Sequence, residues 1–172
     1  MKFDPTKHHR RSIRLKDYDY ASDGSYYVRI VTQRRECLFG EIVGGEMYLS
    51  RYGEIIQEWW NNIPGHFPNV ETGAFVSMPN HIHGIIYIID GRRSGEIQPL
   101  HKRTLGQIVA YFKYQSTKEM NAMDNTGTIT KFWQRNYYEH IIRNEKELQQ
   151  KTDYILDNLS RWDDDEENPS KQ

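Results

Sequence analysis

Hydrophobic and polar positions in the first half of the chain follow two different periods. Residues 26–33, YYVRIVTQ, are β-branched and aromatic, alternate in part and follow the turn-forming SDG, which predicts a strand. The segments LFGEIV and EMYLS flank Gly44 and Gly45, which tolerate the positive φ of a tight hairpin turn. From Ser50 onwards, apolar residues recur at helical spacing until a Pro-Gly pair ends the pattern, which predicts an amphipathic helix.

The same two periods, that of a strand and that of a helix, occur in the second half of the chain. They predict two strands, a helix, a strand and a helix, at residues 74–78, 81–89, 104–120, 137–142 and 144–162. The strand at 81–89 is apolar on both faces, so we expect it to be central in its sheet. Residues 90–103 are rich in turn formers and charge, which indicates a mobile surface loop.

The order of these elements predicts an α+β fold, an antiparallel β-sheet with helices packed on it. The chain has 172 residues and is 37% hydrophobic, which is enough for one buried core and too short to favour two domains. We therefore predict a single domain over residues 1–162, with a basic N-terminal arm, followed by a disordered acidic tail over residues 163–172.

The distribution of charge is more informative than the net charge of -1. Five acidic residues lie together at 163–167, and the chain without residues 163–172 has 22 basic and 19 acidic residues. Basic residues crowd the first sixteen positions, which suits an arm that binds phosphate backbones, although an ordinary solvated terminus is the alternative.

The sequence shows no membrane or export signal. Its longest apolar run, residues 84–89, is far shorter than the ~20 residues that span a bilayer, and the N-terminus lacks the apolar stretch of a secretory signal. The single cysteine, Cys37, cannot form an intrachain disulfide. We therefore expect a cytoplasmic protein.

The segment MPNHIHGIIYI carries the first candidate chemistry. Because His81 and His83 are two residues apart on a predicted strand, their side chains project from the same face and can share one cation. A structural or accidental histidine pair is the alternative. A structural zinc site is disfavoured, since such sites usually need four ligands, mostly Cys and His, and Cys37 is the single thiol.

The last predicted helix carries the second candidate. Tyr154 lies about 100° around the helix from Ile155, which marks the core side, so Tyr154 flanks the core. Asn158 follows one turn later on the same face as the phenol and could supply an oxygen ligand or orient a phosphate. A tyrosine at such a boundary is often a packing residue, and composition alone cannot choose among twelve tyrosines.

Four segments of the chain, taken together, resemble one known family. They are the opening RRSIRLKDYDY and the later segments MPNHIHGIIYI, LGQIVAYFK and WQRNYYEHIIRNEKELQQKTDYILDNLSRW. The family that they resemble is that of the REP-associated tyrosine transposases. These belong to the HUH single-tyrosine transposases of insertion-sequence type, and the resemblance spans roughly residues 9–162. It implies the ferredoxin- or RRM-like fold of HUH nucleases. It also implies His81 and His83 as metal ligands, Tyr154 as the catalytic nucleophile and Asn158 as a third ligand. The chain departs from the family at Leu159, where a proline is usual, so the helix is expected to continue.

The resemblance implies an enzyme that nicks and rejoins single-stranded or hairpin DNA. With Mg²⁺ or Mn²⁺ bound, Tyr154 would attack a phosphodiester and form a 5′-phosphotyrosine, which makes this a nucleoid-associated bacterial protein. If the chain forms a homodimer, Tyr154 serves either its own histidine pair or that of its partner. Basic residues interleaved with aromatic ones are candidates for DNA binding, with a merely solvated surface as the alternative. Together with the N-terminal arm, the candidates are Arg10, Arg11, Arg14, Lys113, Lys118, Arg135 and Arg143.

Three other functions are compatible with parts of this pattern. A protein derived from a transposase could bind hairpin DNA without cutting it, although the intact His81, His83 and Tyr154 argue against this. A metal-dependent phosphodiesterase would use water as its nucleophile and leave no covalent adduct. An RNA-binding sheet module would expose stacking aromatics on its central strands, where this chain has the two histidines.

Overall fold

The computed structural model describes residues 19, 20, 22–89 and 103–171. Its main sheet has four antiparallel strands in the order β4-β5-β1-β6. These strands are β1 (Gly24–Val31), β4 (Val70–Ser77), β5 (His81–Ile88) and β6 (Tyr138–Ile142). The predicted α+β class is confirmed, and β5 is central as expected. Strand β4 begins four residues earlier than predicted, and its register with β5 shifts between Thr72 and Phe75.

A separate hairpin follows β1 in the chain. Strands β2 (Gly40–Val43) and β3 (Glu46–Leu49) pair antiparallel through Gly44 and Gly45, whose φ angles are 61° and 83°. Both glycines therefore have the left-handed backbone that the tight turn predicts.

The helices cover the two faces of the main sheet unequally. Helices α1 (Arg51–Asn61), α2 (Ile63–His66) and α3 (Leu105–Asp124) contribute to the large core on one face, and α4 (Glu145–Leu156) lies on the other. Ser50 and Thr104 cap α1 and α3 by accepting hydrogen bonds from backbone N–H groups, as Asn144 does for α4.

Strand β1 shows how alternation divides the two faces. Tyr26, Val28 and Ile30 face the large core, whereas Tyr27 faces a smaller cluster with Ile155 of α4. The same alternation on β5 turns His81 and His83 away from the large core and towards the α4 side.

Gly84, between His83 and Ile85 on β5, is required by the packing on the large-core side. A Cβ atom at this position would lie 2.3 Å from the Trp60 indole, which is itself stacked on Phe75. The indole therefore packs directly on the β5 backbone, behind the two histidines.

The C-terminal region differs from the prediction in two ways. Helix α4 ends at Leu156 instead of continuing to residue 162, and Asn158–Asp164 forms a 3-10 helix. The predicted disordered tail needs correction over residues 163–171, because Pro169–Lys171 forms a further 3-10 turn, and Glu167 and Asn168 are buried. Ion pairs of the buried Glu167 carboxylate and hydrogen bonds hold this segment against the sheet.

Some predictions fall outside the described residues. The basic N-terminal arm and nearly all of the predicted loop at 90–103 are among them. Within the part of the chain that is described, no helix is both long enough and apolar enough to cross a membrane.

Candidate functional site

The two histidines of β5 converge on one point. The Nε2 atoms of His81 and His83 are 2.9 Å apart, and both side chains are fully buried. Their rings are nearly perpendicular, with centroids 4.6 Å apart. The strand period therefore brings the pair together as the sequence predicts.

Asn80 determines which nitrogen of His81 carries hydrogen. Its amide nitrogen donates to the backbone carbonyls of Arg35 (3.0 Å) and Glu167 (2.7 Å), so its carbonyl oxygen faces His81 Nδ1 at 2.8 Å. An amide oxygen only accepts hydrogen bonds, so Nδ1 of His81 is the donor. In the neutral imidazole, Nε2 of His81 is then left with a free lone pair.

Tyr27 orients His83 in a similar way. The Tyr27 hydroxyl lies 2.6 Å from His83 Nδ1, and the two rings stack with centroids 5.7 Å apart. Burial raises the pKa of Tyr27, so the hydroxyl remains protonated at neutral pH. Each histidine thus has its Nδ1 held by a neighbour and its Nε2 directed at the other histidine.

The environment keeps both imidazoles neutral. Burial, with smaller repulsion from Arg29, lowers the pKa of His83 to about 3. Burial also lowers the pKa of His81 well below its ordinary value, with smaller repulsion from His83 and Arg29. Asp165 Oδ2 lies 3.7 Å from His81 Nε2. Because His81 is neutral, this contact is no ion pair, and it brings a carboxylate against a nitrogen lone pair.

This donor set fits a divalent cation. Ligand atoms of His81, His83 and Asp165 all lie within 4.8 Å of one another. Two donors about 2.1 Å from an octahedral cation, at a right angle, are about 3.0 Å apart, close to the 2.9 Å between the two Nε2 atoms. A cation here would also relieve the repulsion between the carboxylate and the His81 lone pair.

Tyr154 lies beside this pair within the same chain. Its ring is 5.5 Å from the His83 ring and 6.2 Å from the Tyr27 ring, edge-on to both. The phenol is partly buried. Asn158 is buried one turn later, and its amide nitrogen donates to the Tyr154 carbonyl at 3.2 Å. Its role as a metal ligand stays a prediction.

The C-terminal segment brings Asp165 to the histidines. Glu167 is buried and forms ion pairs with two arginines. Its carboxylate lies 3.4 Å from the guanidinium of Arg29, which is on β1, and 2.7 Å from that of Arg35, which follows β1 in the chain. The ring of Trp162 lies 6.1 Å from that of His81. Sequence reasoning missed Asp165 because an acidic run near a terminus is typical of a solvated surface.

Among the described residues, the basic side chains predicted to bind DNA do not form one cluster around the histidines. Lys113 and Lys118 are on α3, on the opposite side of the sheet. The Lys113 ammonium donates to the backbone carbonyls of residues 134, 135 and 136 at 3.0 to 3.4 Å, which gives it a structural role. Lys118, Arg135 and Arg143 are exposed, while Arg10, Arg11 and Arg14 lie outside the described residues.

Comparison with known sequences places the chain among bacterial relatives. No protein-family model matches it. An uncharacterized protein of Haemophilus influenzae (strain ATCC 51907 / DSM 11121 / KW20 / Rd) is 42% identical over 176 residues, covering 96% of each chain. A second protein of that strain, named "Putative REP-associated tyrosine transposase", is 26% identical over 147 residues, covering 81% of this chain and 72% of the relative.

Comparison with solved structures agrees on the fold. The structure of a REP-associated tyrosine transposase bound to a REP hairpin superposes with a TM-score of 0.62 and 20% sequence identity. The match covers 88% of this chain and 74% of that one. The antiparallel sheet with packed helices is therefore the architecture of that transposase.

Proposed function

We propose that the chain is a REP-associated tyrosine transposase, which nicks and rejoins single-stranded DNA next to a hairpin with Tyr154 as the nucleophile. Its similarity to a relative and to a solved structure that carry this family's name supports the proposal. The observation that carries the proposal is the position of Tyr154, whose ring lies 5.5 Å from that of His83 in the same chain. The candidate nucleophile and the candidate metal site therefore lie side by side in one chain.

The proposed reaction conserves bonds and protons. The Tyr154 oxygen forms a bond to phosphorus, and the bond from phosphorus to the 3′-oxygen breaks. The phenol loses a proton and the departing 3′-oxygen gains one, which leaves a 5′-phosphotyrosine and a free 3′-hydroxyl. Rejoining is the reverse attack by a 3′-hydroxyl, so no ATP is required.

A tyrosine needs help in this reaction because its reference pKa is ~10 and the phosphodiester carries negative charge. A bound Mg²⁺ or Mn²⁺ would supply Lewis-acid polarisation of the phosphate. His81 and His83 would hold the ion through Nε2, with an oxygen donor from Asp165 or from Asn158. A donor set that includes two imidazoles suits Mn²⁺ better than Mg²⁺.

The proposed substrate is a DNA hairpin with an adjoining single strand. The neighbouring transposase structure holds a REP hairpin, and this chain shares its fold. We assign phosphate contacts to the exposed Lys118, Arg135 and Arg143 and to the N-terminal arm, and we place the protein in the cytoplasm, where its DNA is. Lys113 is a weaker candidate, since three backbone carbonyls already engage its ammonium.

The test is covalent capture. Wild-type protein and Tyr154→Phe are incubated with end-labelled hairpin DNA from the chain's own genomic flanks, with Mn²⁺, with Mg²⁺ or with chelator. We expect a shifted band on a denaturing gel that requires both the metal and Tyr154. Cleavage without an adduct would indicate a hydrolytic phosphodiesterase, and binding without cleavage would indicate a hairpin-binding protein.

A further inference from the structure

Lys151 lies on α4 three residues before Tyr154, so the two side chains are neighbours on one helical face. The Lys151 ammonium is 4.7 Å from the centroid of the Tyr27 ring and 6.0 Å from that of Tyr154. A lysine therefore contacts both the candidate nucleophile and the tyrosine that orients His83.

The fold places this ammonium where its solvation is reduced. Burial lowers the pKa of Lys151, and the attraction of Glu147 acts in the opposite direction. The Glu147 carboxylate is itself engaged by the Arg143 N–H at 3.0 Å and by His140 Nε2 at 3.4 Å. Within the described residues Lys151 has no ion pair. Its ammonium instead lies beside the aromatic rings of Tyr27 and Tyr154.

Arg29, a second cation near the histidines, is already paired. Arg29 faces His83 across the β1–β5 register, and its guanidinium lies 3.4 Å from the Glu167 carboxylate. Unlike Arg29, Lys151 beside Tyr154 forms no ion pair with a described carboxylate.

We propose that Lys151 binds the phosphodiester that Tyr154 attacks, and this inference rests on the proposed nicking function. A phosphate within reach of the Tyr154 oxygen must also approach the Lys151 ammonium, because one helical turn carries both residues. In this arrangement the ammonium offsets the negative charge that opposes attack. The same charge is in place when the strand is rejoined, since Lys151 and Tyr154 lie on the same helix.

The decisive experiment removes the charge from either side of the contact. Hairpin affinity is measured for the Tyr154→Phe protein, which leaves the substrate intact, and for the same protein with the additional change Lys151→Gln. The DNA carries either a normal phosphate or a neutral methylphosphonate at the linkage where the wild-type protein cuts. Lys151→Arg retains the charge, and Lys146→Gln is the matched control because Lys146 is exposed on the same helix.

One lost phosphate contact on single-stranded DNA lowers the salt slope by about 0.7, which corresponds to about fivefold weaker binding at 0.1 M salt. We expect this loss of affinity when Lys151→Gln binds normal DNA. We expect the same loss when the protein that retains Lys151 binds DNA with the neutral linkage. Combining Lys151→Gln with the neutral linkage should cause no further loss. Lys151→Arg and Lys146→Gln should bind normal DNA like the background protein. The arm with neutral DNA needs no lysine variant, so it remains informative if Lys151→Gln fails to fold.

Two results would overturn the inference while leaving the proposed function intact. One is a Lys151→Gln loss of equal size on normal and neutral linkages, which would indicate general packing over Tyr27. The other is unchanged binding together with an unchanged single-turnover rate of adduct formation in Lys151→Gln carrying an intact Tyr154. By contrast, wild-type protein that forms no adduct would overturn the proposed function, and this inference with it.

Discussion

Replacing Tyr27 by Phe removes a hydroxyl that holds one of the two histidines in place. The hydroxyl lies 2.6 Å from His83 Nδ1, and the side chain is 3% exposed. Without it, a buried ring nitrogen loses its partner, which costs about 1–3 kcal/mol of stability. The ring itself remains, so the packing against His83 and Tyr154 should be retained.

The larger effect is expected on metal affinity. Loss of a group that orients a metal-binding histidine typically weakens affinity by about 10- to 100-fold, or about 1.4–2.8 kcal/mol. Mn²⁺ binding to wild-type and Tyr27→Phe proteins would be compared by calorimetric titration, after circular dichroism has verified the fold. Tyr87→Phe is the control, since Tyr87 lies further along β5 and its ring contacts Gly73.

Binding of Mn²⁺ by Tyr27→Phe within twofold of wild type would contradict this expectation. The hydrogen bond would then have no orienting role. An equal loss in Tyr87→Phe would also contradict it, because the effect would then come from general loosening of the sheet.

Two further predictions address the site and the core. Asp165→Ala should weaken Mn²⁺ binding by at least about tenfold if its carboxylate completes the site. Asn158→Ala should do so instead if the Asn158 amide is the ligand, so comparison of the two affinities identifies the donor. An unchanged Mn²⁺ affinity in both variants would exclude either role. Gly84→Ala should destabilise the fold by about 1–3 kcal/mol, because the added methyl group overlaps the Trp60 indole. In denaturant titration, Gly65→Ala is the control, since no atom lies within 4 Å of a Cβ built there, and equal midpoints for the two variants would refute the packing argument.

Local patterns in the sequence predicted most of the regular elements. Alternation on β5 placed His81 and His83 on one face, and helical spacing placed Tyr154 beside the core side of α4. These predictions succeeded because each depends on the period of a single element. The boundary of α4 was less accurate, since the helix ends at Leu156 and a 3-10 helix follows.

The parts that sequence reasoning missed depend on contacts between distant segments. Asp165 reaches His81 because Glu167, two residues later, is held by Arg29 and Arg35 from the first third of the chain. No periodicity records such a pairing, and five consecutive acidic residues resemble a solvated tail. The orienting role of Asn80 likewise requires two backbone carbonyls, those of Arg35 and Glu167, that only the fold brings to its amide.

The proposed function depends on the covalent attachment of Tyr154 to the 5′ end of the cut strand. The most direct measurement digests the wild-type protein–DNA adduct with protease and nuclease and identifies the modified peptide by tandem mass spectrometry, while polymerase extension tests the released strand for a 3′-hydroxyl. We expect a nucleotide on Tyr154 through a 5′-phosphate, and a released strand that can be extended. A nucleotide on Tyr27 or another residue, or a released strand ending in a 3′-phosphate, would contradict it.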